Sequence, residues 1–130
     1  METMEVKEKT EVFIADYINT MGEKHFDDLT AFLAEDVEFV GPKATLRGSG
    51  EYISILRRMG TILLRNVVKR VFVDGNEACI IYDFVTDTEV GAVPTVEWLT
   101  LKNGKISKIH LIYDRHRWPE VVEEMNKRLK

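Results

Sequence analysis

Apolar residues recur every three or four positions up to Gly60 and at every second position beyond Thr61, so the chain changes period at its middle. Val6, Thr10, Phe13, Ile14, Tyr17, Ile18 and Met21 predict an amphipathic first helix of about five turns, with Gly22 as its stop. A second, shorter helix is expected over His25 to Ala34, with Phe26, Leu29, Phe32 and Leu33 on one side. Asp36 to Val40 reads as a short strand closed by Gly41-Pro42. Leu46 to Gly50 then leads into a third helix, Glu51 to Met59, with Tyr52, Ile55, Leu56 and Met59 inward and Gly60 as its end.

Alternation then takes over. Thr61 to Val73 reads as a long strand, irregular near Arg65-Asn66, and Asp74-Gly75-Asn76 as a turn. Glu77 to Thr86 is a strand rich in aromatic and β-branched residues. A loop with Gly91 leads into Pro94 to Asp114, two strands folded about Asn103-Gly104, a dipeptide suited to tight hairpins because both positions tolerate positive φ. Trp118-Pro119 opens a closing helix over Glu120 to Leu129. Helices followed by an antiparallel meander make an α+β pattern. In the last strand Ile109, Leu111 and Tyr113 lie on one face, and Lys108, His110, Ile112 and Asp114 on the other. Trp98 and Thr100 are assigned to the first of these faces. The strands are too apolar on both sides for water alone, so a homodimer through the sheet face is expected.

At 130 residues the chain is expected to form one domain over 1–130, with room for a core. A net charge of −4, with no basic stripe interleaved with aromatics, argues against nucleic acid as a partner. Arg57, Arg58, Arg65, Lys69 and Arg70 read as a solvated helix end and strand face. Cys79 is the one cysteine, so no internal disulfide forms, and within Ala78-Cys-Ile-Ile81 it reads as a small buried hydrophobe. His25, His110 and His116 lack metal-ligand spacing, and no Gly-rich phosphate loop follows a strand; no metal or cofactor is expected. The charged start is unlike a signal peptide and no apolar run reaches the length of a membrane span, so no membrane partner and a cytoplasmic location are expected.

Two acids interrupt the apolar hairpin. A carboxyl there is costly unless paired or solvated. Asp114, beside Ile112, suits general-base work in apolar surroundings; the bland alternative pairs it with Arg115 or Arg117 at the surface. Glu97, if it shares a face with Leu99 and Leu101, enters a pocket as a protonated donor to a substrate oxygen. A one-residue slip would send Trp98 there instead. Tyr17 belongs to the core, with its hydroxyl either in the pocket or on a backbone carbonyl. His110 is either an imidazole near Asp114 or structural. Tyr82, Phe84, Phe39 and Tyr52 are expected to line the pocket, and Asp83 to face a dimer partner or solvent.

Tyr17-Ile-Asn, the run from Phe26 to Pro42, the Gly48 loop with its helix, and the ending from Gly104-Lys-Ile to Ile112-Tyr-Asp114 stand in a characteristic order. In this, almost the whole chain resembles the nuclear transport factor 2-like superfamily, in its SnoaL-like and ketosteroid isomerase-like branch. The resemblance implies a cystatin-like cone: N-terminal helices packed on a strongly curved, mostly antiparallel sheet, with a short C-terminal helix and a deep apolar pocket. Tyr17 is similar to the helix-one tyrosine that ketosteroid isomerases use as an oxyanion donor, and Glu97 to the protonated aspartate that is their second. Their proton-shuttling base stands just before the proline, where this chain has Gly41. Asp114 is similar to the base closing the final strand of limonene epoxide hydrolases and to the acid/base aspartate of SnoaL-type polyketide cyclases. The Arg and Asp that the epoxide hydrolases also need are Phe84 and Thr86 here, so neither set is complete.

The resemblance therefore implies a cofactor-free enzyme acting on a small apolar carbonyl or cyclic substrate. Asp114 would move a proton while Tyr17 and Glu97 stabilise an enolate-like oxygen. His110, Ile112, Tyr82, Phe84, Phe39, Tyr52, Leu99 and Trp98 would contact the ligand. Fold alone does not fix chemistry, and two other readings stand beside it: a module holding a lipophilic ligand without chemistry, and a domain recruiting another chain through its sheet.

Overall fold

In the computed structural model, which describes residues 3–130, helix α1 spans Met4–Gly22 and is opened by the Thr3 hydroxyl, which accepts from the Val6 amide at 3.2 Å. Ile14, Tyr17, Ile18 and Met21 are its buried stripe, packed against the sheet; Val6, at the far end, is exposed. The segment expected to be a second α-helix is instead a 3₁₀ turn over Phe26–Ala31, followed at once by strand β1, Leu33–Val40. The buried residues of that turn, Phe26 and Leu29, are three apart, which fits three residues per turn. A short strand β2, Thr45–Arg47, lies where a loop was expected and pairs antiparallel with β1.

Helix α2 covers Ser49–Met59, and strands β3 (Leu63–Asp74), β4 (Glu77–Thr86), β5 (Ala92–Lys102) and β6 (Lys105–Tyr113) follow as an antiparallel meander. Helix α3, Trp118–Arg128, closes the chain with Pro119 in its first turn. The sheet order is β2-β1-β6-β5-β4-β3, and β1 runs parallel to β6 in an otherwise antiparallel sheet. This is the α+β cone of cystatin-like type. Register shifts in β3, between Leu63 and Arg65 and between Val68 and Arg70, bend the strand over α1. There the backbone amide of Asn66 comes so near Gly22 that a Cβ on the glycine would stand 2.7 Å away.

One further irregularity decides which residues face inward. Asn103 and Gly104 take positive φ, and Lys102 pairs with Lys105 and Leu101 with Ile106, as a two-residue hairpin requires. Beyond that, Thr100 pairs with Lys108, so Ser107 is an extra residue in β6, its hydroxyl on the Thr100 carbonyl at 3.1 Å. The bulge moves every later pair by one position. Glu97 stands opposite Leu111 and Leu99 opposite Ile109 on the inner face, while Trp98 stands opposite His110 on the outer face. The assignment of Trp98 and Thr100 to the Ile109 face is thereby corrected: they share the face of His110 and Lys108.

Candidate functional site

Glu97 sits mid-strand in β5 with 1% of its surface exposed, aimed at the space between the sheet, α1 and α2. Three tyrosines from three other elements meet it. The Tyr17 hydroxyl donates to Oε1 at 2.8 Å and the Tyr82 hydroxyl to Oε2 at 2.5 Å, while the hydroxyls of Tyr17 and Tyr52 lie 2.5 Å apart. All three rings are buried. Helical spacing puts Tyr17 on the α1 stripe, alternation puts Tyr82 on the inner face of β4, and Tyr52 is on the buried side of α2.

Burial pushes the Glu97 carboxyl up to about 7, although the hydrogen bonds from Tyr82 and Tyr17 pull the other way. The same burial, with the Glu97 charge next in weight, raises each phenol well above its ordinary value. Near neutrality, then, the tyrosines hold their protons and Glu97 is the member that exchanges one.

Counting protons shows what the cluster offers a ligand. Five oxygens share three hydrogen bonds. With Glu97 ionised there are three O–H protons, all used: Tyr52 donates to Tyr17, Tyr17 to Oε1 and Tyr82 to Oε2. With Glu97 protonated there is a fourth, and one donor is left over. Tyr52, Tyr82 and Glu97 all line the adjoining cavity whereas Tyr17 does not, so the surplus proton emerges at one of those three.

That cavity has a volume of about 240 Å³, below the ~300–1,000 Å³ common for ligand pockets, which restricts it to small compounds. Its walls include Met21, Phe39, Ile55, Leu56, Met59, Phe84, Val93 and Leu111. Trp118, from α3, closes one side, its ring edge-on to Tyr113 (centroids 5.0 Å) and to Phe84 (6.2 Å). Phe39, Tyr52, Tyr82, Phe84 and Glu97 thus lie on the cavity, and Tyr17 behind them. Leu99 is fully buried in the core and off the cavity wall.

The remaining predicted contacts lie elsewhere, because the Ser107 bulge turns their face outward. Asp114 is exposed beyond the end of β6, its Oδ1 accepting from the His116 amide at 3.0 Å, so its expected aim into the pocket is corrected. Ile112 is 51% exposed on the outer face. Trp98, also on the outer face, stacks on His110 with centroids 5.7 Å apart and donates from Nε1 to Glu77. Gly41 does line the cavity, but the Phe39 ring stands 3.0 Å from where its Cβ would be. Asp83, half-buried, pairs with Lys69 at 3.4 Å. Leu111, Tyr113, Thr95, Lys43, Arg58 and Trp118 are cavity residues that the sequence reading did not assign. The signal for the first two was the three-residue step from Ile106 to Ile109, both buried, which breaks strand period and marks a bulge. Among the described residues no group of three or more His, Cys, Asp or Glu side chains could hold a metal ion, and no helix is long and apolar enough to cross a membrane.

The sequence profile of the SnoaL-like domain family matches residues 14–109. A protein of Kribbella flavida is similar in structure at a TM-score of 0.78 and 21% identity, over 90% of this chain and 96% of its own. A candidate ketosteroid isomerase from the same organism is similar at 0.73 and 21% identity, over 83% of this chain and 79% of its own. For a candidate SnoaL-like polyketide cyclase from Shewanella putrefaciens the values are 0.68 and 17%, over 86% and 84%. No curated protein sequence matches the chain. Likeness at such identities shows the fold.

Proposed function

The chain belongs to the SnoaL-like domain family, and from that premise we propose that its cavity is a cofactor-independent proton-transfer site for a small apolar carbonyl compound, with Glu97 as the acid and base. The observation that carries this reading is the buried carboxyl on the cavity wall, tied to two phenols that reach the same space. In its neutral form the cluster gives its surplus proton to the carbonyl oxygen through Tyr52 or Tyr82. Now one proton short, it takes the proton from the α-carbon, which leaves the enol and restores neutral Glu97. The reverse steps return a proton to carbon, at the same or a conjugated position. Neither Gly41 nor Asp114 has a part in this scheme.

Deuterium exchange of the α-protons of 2-tetralone, followed by NMR in buffered D₂O, tests the proposal. The protein should accelerate exchange most below a midpoint near pH 7, where the surplus donor exists. Glu97→Gln should lower the rate by about 10²–10⁴-fold, the usual weight of acid–base help. Asp114→Asn, a surface substitution away from the cavity that keeps an acceptor for the His116 amide, should leave it within about twofold. Exchange no faster than in buffer, with 2-tetralone still bound, would instead favour a ligand-holding module.

A second copy of the chain is the partner proposed for the outer sheet face. Phe72, Ile81, Trp98 and Ile112 are exposed there by 36% or more, side by side across β3 to β6.

A further inference from the structure

The cavity wall holds two cations that the proton-transfer scheme leaves unused. Lys43 lies in the turn that joins β1 to β2, fixed by the Gly41 amide donating to the Ala44 carbonyl at 2.8 Å. Arg58 lies in the last turn of α2, whose end is secured by the Thr61 hydroxyl on the Arg58 carbonyl at 2.8 Å. Both side chains are exposed while Leu56, Tyr82, Phe84 and Glu97 are buried, so the cations mark the mouth and the carboxyl the floor.

Arg57 and Arg58 are neighbours with different fates. Arg57 pairs with Asp27 and lies over the Phe26 ring, with 5.8 Å from guanidinium to centroid. Arg58 turns to the cavity, and among the described residues neither it nor Lys43 has a carboxylate within ion-pair distance. A cation in the last helical turn is explained by the helix dipole alone. That account covers Arg57 and Arg58 but leaves Lys43, on a separate element across the same opening, unexplained. The polarity from mouth to floor is cation, apolar wall, hydrogen-bonding acid.

We infer that the cavity takes an amphiphilic ligand: a small apolar body with an oxygen at the Glu97 end and a carboxylate at the other, held between Lys43 and Arg58. The inference rests on the pocket reading above, and adds that the compound is an organic acid. Arg58 offers a planar fork that matches a carboxylate, with its stem along the apolar wall. Because both cations are solvated, their contribution is modest and screened by salt.

The probes are 6-hydroxy-2-naphthoate and its methyl ester, which share a body and a hydroxyl but differ in charge at the far end, with binding followed by calorimetry. In low salt the acid should bind the wild-type protein roughly tenfold tighter than the ester, as two weakly shielded charge pairs allow. The ratio should fall toward one in 0.5 M NaCl and in the double variant Lys43→Ala/Arg58→Ala. Both substituted side chains are exposed, and an unchanged circular dichroism spectrum checks that the variant folds. Equal binding of acid and ester by the wild type, or a preference that survives the double substitution, overturns the headgroup site and leaves the pocket standing. Binding of neither probe overturns both readings together.

Discussion

A carboxyl that ionises at 4.5 in an unfolded chain and at about 7 in the folded one ties stability to proton concentration. Below pH 4.5 both states hold the proton, and the folded state carries no buried charge. As the pH rises to 7 the unfolded chain releases its proton while the folded chain keeps it. Stability therefore falls, by on the order of 3 kcal/mol, and levels off above 7. Urea unfolding should show a wild-type protein that is weaker at pH 8 than at pH 5, and a Glu97→Gln protein without that part of the loss; an equal loss in both would refute the assignment. Burial raises the carboxyl, and the tyrosines hold it down. Tyr82 donates to Oε2 and so favours the charged form; removing that donor in Tyr82→Phe should push the carboxyl higher still. The midpoint of the exchange profile should then move to higher pH, and movement downward would contradict the geometry.

At the level of elements, the most exacting contact is the crossing of α1 over β3. Gly22 meets the backbone of Asn66, whose Nδ2 donates to the Ile18 carbonyl at 3.0 Å. A methyl group at position 22 has backbone as its obstacle, so Gly22→Ala should lose about 1–3 kcal/mol by overpacking, read as a lower denaturation midpoint. The elements themselves were largely legible: the α1 stripe, the Asn103-Gly104 turn and the alternation of β4 each follow from local chemistry. The single residue of slip at Ser107 was not, and it decided the site. Counting back from the turn puts Glu97 opposite His110 and sends Asp114 inward with it. The bulge replaces His110 by Leu111 and turns Asp114 out to solvent. Ile106 and Ile109 carried the clue, since their spacing fits no regular strand. Tyr52 was legible as an apolar wall but not as a partner of Tyr17, because thirty-five residues separate them in sequence and only the closed cone brings α1 and α2 together.

Over the whole molecule, the α+β order could be read from the change of period and the curvature of the sheet only from the family resemblance, whereas what covers each face depends on tertiary register. If a second copy seals the outer face, sedimentation should give about twice the 15.0 kDa of one chain. Ile112→Glu, in the middle of that face, should return the mass to 15.0 kDa with the fold intact, and a wild-type protein of that smaller mass would remove the proposed partner. The parallel seam between β1 and β6 has a consequence for how the molecule assembles. Hairpins β3 to β6 join neighbours in sequence, but Leu33 must find Ile106 across most of the chain, a loop closure that high-contact-order folds complete slowly. Phe39 arrives with that strand, so refolding chains should gain sheet first and ligand-holding capacity afterwards, in a separate and later kinetic phase.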